Sequence, residues 1–275
     1  MHTNIPDQSS MPKTPASNLS GDAIALTDLL RDYELNTDEP LASQVYWILR
    51  DEIITLRLSP GQMVAEKEIA EVLNASKTPV REALIRLEID GLVDIVPKSG
   101  TYVSAIRINK YMEACFIRLQ LEIGAVRRAA TQAADPSRLE TLDSILEQQA
   151  AALDLDDYRK FFQLDQSLHK GFFDMAGVPG VWDLLLKTQA DVNRMRHLKR
   201  KLNIRRGPTV LEEHKVIVDA IRKQDAQNAE TALVAHIGSL DQEIQQFTSD
   251  PALLEFIENQ ASPTRRTRLG RRAAH

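Results

Sequence analysis

Cysteine is almost missing from this chain: Cys115 is the only one among 275 residues. No intrachain disulfide and no thiolate metal cluster can form, and a reducing, cytoplasmic setting is expected. Long apolar runs are also missing. None approaches the roughly 20 residues that span a bilayer, and the N-terminus is polar, so no membrane partner and no secretory leader are expected. Glycine (11 residues) and aromatic side chains (5%) are sparse while Leu, Ile, Val and Ala abound, which argues against a sandwich or barrel. A mainly helical protein of two domains follows from this balance and from the length.

A net positive charge is lacking too. The chain carries −5, and residues 40–106 hold seven Lys/Arg against nine Asp/Glu. For a nucleic-acid partner the placement of charge matters more than its sum. Within EKEIAEVLNASKTPVREALIRLEIDGLVDIVPKSGTYV (residues 66–103) the order is a short helix, a turn at Asn74-Ala75 and a second helix opening at Ser76–Pro79. Gly91 ends that helix, and two short strands follow around Pro97–Gly100. Helix, tight turn, helix and hairpin form a winged helix-turn-helix, which lays its second helix in the major groove of double-stranded DNA. Thr78 is read as the N-cap, with Pro79 at the first helical position. Lys77 and Thr78 suit phosphate contacts at the helix N-terminus, and Arg81, one turn in, can grip a guanine edge. Lys98, Gly100 and Thr101 stand at the wing tip. Glu66, Glu68, Glu71 and Glu88 are expected to point elsewhere.

Around this head, residues 1–38 read as a disordered arm with one apolar patch at Ile24–Leu30, and residues 39–106 as the DNA-binding domain. Its first helix is expected over Leu41–Leu56. Helical periodicity then predicts segments at 110–133, 136–153, 157–176, 179–202, 208–223, 226–247 and 251–260, an all-α antiparallel bundle spanning 110–260. Residues 261–275 form a basic, flexible tail with five arginines in Thr264–Arg272.

The pattern Ser76-Lys77-Thr78-Pro79-Val80-Arg81-Glu82-Ala83-Leu84, with Leu87 and Gly91 after it and PKSGTYV beyond, resembles the DNA-binding domain of the GntR superfamily of bacterial transcription regulators. The resemblance implies DNA contacts at Lys67, Ser76, Lys77, Thr78, Arg81 and Gly100. Lys67 and Lys77 stand where arginine is commoner; lysine keeps the charge but loses the planar two-bond clamp, so phosphate contact suits them better than base reading.

In the helical region, Asp165 and His169 are four apart in LDQSLHKGF and share a helix face. His214 and His236 fall on later helices with apolar residues at inward spacing around them. Three imidazoles and a carboxylate from three helices suit a borderline divalent metal; four unrelated core or surface side chains fit the spacing equally well. LDQSLHKGFFDMAG and EEHKVIVDAIRKQDAQNAETALVAHI look like the all-helical FCD effector domain of the FadR subfamily. That resemblance implies a metal held by Asp165, His169, His214 and His236, zinc first, with nickel or manganese as alternatives. It also implies a small carboxylate effector (an organic or sugar acid) and places Arg118 in its pocket, where a salt bridge to Glu122 is the alternative. Arg194 and Arg196 are further effector candidates, or members of a solvated basic face.

The expectation is therefore a metabolite-responsive repressor, not an enzyme, reading a pseudo-palindromic operator as a homodimer. A metal-dependent hydrolase and a constitutive architectural DNA-binding dimer are the alternatives.

Overall fold

The computed structural model describes residues 24–132, 135–202 and 207–238. The chain divides into two compact units between Ile106 and Arg107.

In the first unit, α1 (Leu26–Leu30) buries Leu26, Leu29 and Leu30 and packs against α3 (Glu66–Val72). This is the apolar patch of the N-terminal arm; residues 1–23 lie outside the described residues. Helices α2 (Leu41–Ile54) and α3 both pack on α4 (Lys77–Ile89). Val45, Leu49, Ile53, Ile69, Val80, Ala83 and Leu87 close a core between them. The turn between α3 and α4 passes through Asn74 at φ 48°, a left-handed conformation that asparagine tolerates. A Schellman motif ends α4: Leu92 N–H donates to Leu87 O (2.8 Å) and Gly91 N–H to Glu88 O (2.9 Å), with Gly91 at φ 70°.

The wing follows as β1 (Val93–Val96) and β2 (Gly100–Val103), antiparallel with Val93 opposite Val103 and Val96 opposite Gly100. Residues 61–64 run along the far side of β2, where Gly61 N–H donates to Val103 O and Val64 N–H to Thr101 O. The wing root is thus held from both sides.

Two details differ from the sequence reading. Helix α2 stops at Ile54, because Leu56 turns left-handed (φ 58°). The N-cap of α4 is Ser76, not Thr78, so Pro79 is the third helical residue rather than the first. Proline is accepted there because the first-turn N–H groups have no intrahelical acceptor, and a missing donor costs nothing.

The second unit is a bundle of α5 (Ile108–Thr131), α6 (Pro136–Asp154), α7 (Tyr158–Met175), α8 (Pro179–Leu186), α9 (Ala190–Lys201), α10 (Gly207–Arg222) and α11 (Ala226–Ile237). Aspartates cap three of them: Asp135 accepts from Ser137 N–H, Asp157 from Lys160 N–H and Asp225 from Asn228 N–H, each at 3.0 Å. Helices α5, α6, α7, α10 and α11 pack on one another, with α8 and α9 against α5. Val126, Leu142, Leu168, Phe172, Phe173, Trp182, Ile217, Ile221 and Leu233 fill the interior.

The helix expected over 179–202 is two helices. Chain direction changes at Lys187–Gln189, where Thr188 Oγ1 donates to Leu185 O at 2.8 Å and competes with the helical ladder. No proline or glycine marks that break, so periodicity alone ran through it. The helix expected over 226–247 ends at Ile237, where Gly238 takes φ 86°. The segment at 251–260 and the basic tail lie outside the described residues.

Candidate DNA interface and metal centre

Helix α4 presents Ser76, Lys77, Thr78 and Arg81 to solvent at its N-terminal end, while Val80, Ala83, Leu84 and Leu87 face inward. Arg81 does not stand alone. Its Nε donates to Glu66 Oε2 at 2.9 Å and its Nη2 to Glu66 Oε1 at 3.2 Å, a two-bonded clamp across the start of α3. This corrects the expectation that Glu66 points away. Lys67 is exposed and lies 3.6 Å from Glu71 one turn on. Lys98 occupies the wing tip at φ 62°, followed by Ser99, whose Oγ lies 3.0 Å from Tyr102 Oη, then Gly100 and Thr101. Arg86 is no part of this end: its guanidinium stacks 4.2 Å above the Tyr46 ring, and Tyr46 Oη donates to Asp90.

In the second unit, Asp165 and His169 from α7, His214 from α10 and His236 from α11 come together in the bundle interior. Their ligand atoms all lie within 4.8 Å of one another, and all four residues are buried. His236 Nε2 sits 3.2 Å from His169 Nε2 and 3.3 Å from His214 Nε2; Asp165 Oδ1 is 3.5 Å from His214 Nε2 and 3.8 Å from His169 Nε2.

The far side of each ring fixes its tautomer. His169 Nδ1 donates to Glu122, His214 Nδ1 to Gln149 Oε1 (3.0 Å) and His236 Nδ1 to Glu213 Oε2 (2.9 Å). With the protons on Nδ1, three Nε2 lone pairs and a carboxylate oxygen face one another with no donor between them. Such a cluster is repulsive unless a cation lies at its centre. The separations match donors sharing one ion at about 2.0–2.2 Å, and an outer acceptor on every histidine is the usual support for metal-ligating imidazoles.

Charge states agree with this arrangement. Burial, reinforced by His236, holds His214 well below the usual imidazole range; burial pushes His236 down to about 4 although Glu213 opposes it. Burial would raise Asp165, but the neighbouring Arg196 guanidinium outweighs it and holds the carboxyl well below its usual range. Neutral His214 and His236 beside the Asp165 carboxylate are in the form that binds divalent metal.

Two arginines frame the cluster. Arg118, on α5, donates from Nε to Glu122 Oε1 at 2.7 Å, while its buried Nη2 has no hydrogen-bond partner. Glu122 thus bridges Arg118 and His169: its complete burial would raise it, but the Arg118 cation and the hydrogen bond from His169 outweigh that and lower it to about 2. Arg196, on α9, donates from Nη1 to Asp165 Oδ2 at 2.6 Å.

Comparison with known proteins identifies both regions of the chain. Residues 41–103 match the model of bacterial regulatory proteins of the gntR family, and residues 113–239 match the FCD domain. A transcriptional repressor of Escherichia coli K12, RspR, is 31% identical over 217 residues, covering 79% of this chain and 94% of the relative. The chain belongs to the GntR family of transcription regulators. A probable D-xylose utilization operon repressor of Paenarthrobacter nicotinovorans is 30% identical over 206 residues, covering 74% and 88%. Among solved structures, Escherichia coli McbR/YncC shares the fold with a TM-score of 0.63 at 23% identity, over 76% of this chain and 97% of that one. A GntR regulator from Rhodococcus sp. RHA1 gives 0.62 at 23% identity, over 76% and 98%. This GntR regulator is a DNA-binding protein, not an enzyme, and no helix among the described residues is long and apolar enough to cross a membrane.

Within the GntR frame, the structure brings Asp165, His169, His214, His236 and Arg118 into one neighbourhood. Arg194 behaves differently: it is fully buried on α9 and its Nη1 donates to Asp191 Oδ1 at 3.2 Å. Arg196 is the α9 arginine on the ligand cluster. Sequence reasoning named Glu122 only as an alternative salt-bridge partner of Arg118, a pair that the structure contains, and gave no role to Gln149 or Glu213. Glu213 immediately precedes His214 yet serves His236, a pairing that only the packing of α10 on α11 creates.

Proposed function

We propose that this regulator is a metabolite-responsive repressor that reads a pseudo-palindromic operator as a homodimer and senses a small carboxylate at a metal-centred pocket. The observation that carries the reading is the convergence of three Nε2 lone pairs and Asp165 Oδ1, with the unpartnered Arg118 Nη2 in the same network. Asp165, His169, His214 and His236 would hold a divalent ion, zinc before nickel or manganese, which supplies a Lewis-acidic attachment point for an acid group.

The chain's own residues do the rest. Glu122 fixes both His169 and Arg118, so the guanidinium is preset without help from the ligand. Its open Nη2 is a charge-assisted donor for a carboxylate oxygen. Arg196 holds Asp165 by its second oxygen and ties α9 to α7. An acid in this pocket would touch helices α5, α7, α10 and α11 together, and their packing is what a bound effector would change. In the first unit, Lys67, Ser76, Lys77, Thr78, Arg81, Lys98, Gly100 and Thr101 are assigned to the DNA face, with Arg81 aimed by Glu66.

The test is a thermal-shift screen of organic and sugar acids on metal-loaded protein, with hits measured for their effect on operator binding at fixed salt. A hit that shifts both melting and DNA affinity supports the reading. If no acid alters DNA affinity while the protein binds a specific operator, sensing at this site is wrong.

A further inference from the structure

Helix α5 has two faces, and only one is accounted for. Tyr111, Ala114, Arg118, Glu122, Ala125, Val126 and Ala129 turn inward. The opposite face leaves Phe116 55% exposed, Ile117 37% and Leu121 36%, next to an open surface at Gly124. A glycine inside a helix is destabilising relative to alanine, and at Gly171 the reason is local: an added Cβ would lie 2.5 Å from Leu142 Cδ2. At Gly124 an added Cβ would meet nothing within 4 Å, so the described packing of this chain makes no use of its smallness.

Position 120 is the midpoint of this face. Phe116 and Gly124 lie four residues on either side of it, and Glu113 and Arg127 seven on either side. A two-fold axis through Gln120, with a second copy of α5 running antiparallel, seats each Phe116 ring over the partner's Gly124. The same axis sets each Glu113 against the partner's Arg127. These charges already belong to ion pairs within the chain, Lys110 with Glu113 (2.7 Å) and Arg127 with Glu230 (2.6 Å). Across the axis they join into networks of alternating sign. A parallel pairing would instead oppose Glu113 to Glu113 and ring to ring. Self-complementarity of this kind is what an isologous interface requires.

We propose that α5 is the seam of the homodimer, with Gln120 on the dyad, Phe116 packed over the partner's Gly124, and Glu113 paired with the partner's Arg127. This rests on the dimeric reading above and adds to it the surface and the register.

The test uses the full chain. In a Cys115→Ser background, Gln120→Cys is expected to form an interchain disulfide on mild oxidation, whereas Glu147→Cys on exposed α6 is not. Gly124→Arg and Glu113→Arg are each expected to weaken dimerisation in sedimentation velocity, on the order of a hundredfold. Their helical circular dichroism should be retained, because both sites are open to solvent. The charge swap Glu113→Arg with Arg127→Glu is expected to restore the dimer. If the wild type is dimeric, Gln120→Cys fails to cross-link and Gly124→Arg stays dimeric, then the α5 seam is wrong while the dimeric reading stands. A wild type that binds its operator as a single copy overturns both.

Discussion

Adding or removing a divalent ion should change the stability of this regulator by an amount that the outer hydrogen bonds set. Three Nε2 lone pairs and the Asp165 carboxylate face one another within the bundle, with His236 Nε2 3.2 Å from His169 Nε2 and 3.3 Å from His214 Nε2. Binding one ion at a free concentration 100 times its Kd contributes about 2.7 kcal/mol. For a helical unit of this size, roughly 3–5 °C of melting temperature accompanies each kcal/mol, giving a rise on the order of 10 °C. Gln149→Leu refines the test. Gln149 is fully buried, its Oε1 accepts from His214 Nδ1, and leucine fills a similar volume. Loss of such an outer partner typically weakens metal affinity by 10- to 100-fold. At the same free metal the stabilisation then falls to roughly 0.4–1.4 kcal/mol. Differential scanning of each protein with zinc and with chelator measures the quantity directly, because any intrinsic cost of the substitution cancels within each pair. If the wild type melts at the same temperature in both conditions, the cluster is not a metal site. If Gln149→Leu keeps the full difference, the outer hydrogen bond does not orient His214.

Arg81→Ala is expected to lower operator affinity by roughly ten- to a hundredfold and to relax preference at one base pair, read by fluorescence anisotropy against variant operators. Glu66→Gln should leave folding intact, raise affinity for random DNA and narrow the specificity ratio, because it frees Arg81 and removes a negative charge from the same face; an unchanged ratio would show that Glu66 does not aim Arg81. His197 is buried against Phe162 and Tyr158 with no partner for Nε2, and burial, aided by Lys201, Arg196 and Arg159, lowers it to about 4. Its folded value lies below the unfolded 6.5, so the stability it contributes is complete above pH 6.5 and is lost as pH falls toward 4, about 3 kcal/mol in all. His197→Phe should flatten that acid limb relative to wild type in denaturant melts at pH 7, 6 and 5; equal slopes would remove His197 as its cause. Arg118→Lys keeps a cation beside Glu122 but loses the guanidinium fork, so effector affinity should drop at least about tenfold with metal content unchanged; an unaltered effector titration would take Arg118 out of the pocket.

The helix-turn-helix was legible because each of its steps is local. Asn74 and Gly91 mark the left-handed turns, Val80, Ala83, Leu84 and Leu87 mark the inner face of α4, and these needs are met within a few residues of chain. The break between α8 and α9 was not legible, since a threonine hydroxyl bonding one carbonyl leaves no trace in periodicity. The four candidate ligands could be named from their order and from a family pattern, yet nothing in their spacing excluded four unrelated side chains. Their outer partners were harder still. Glu122, Gln149 and Glu213 lie 47, 65 and 23 residues from the histidines they support, and such pairings exist only once α5, α6 and α10 are packed.

Composition and short-range pattern alone therefore determined that the chain is mainly helical, that residues near 66–103 form a DNA-reading head, and that four metal-compatible side chains sit on helices. Those properties depend on backbone preference and burial over one or two turns, which neighbouring residues decide. Tertiary structure decided which nitrogen of each histidine faces the centre, that Arg196 rather than Arg194 holds Asp165, that Glu66 grips Arg81, and which face of α5 is left open. Each of these is set by side chains from different helices meeting at hydrogen-bond distance, and that distance is a property of the packed bundle.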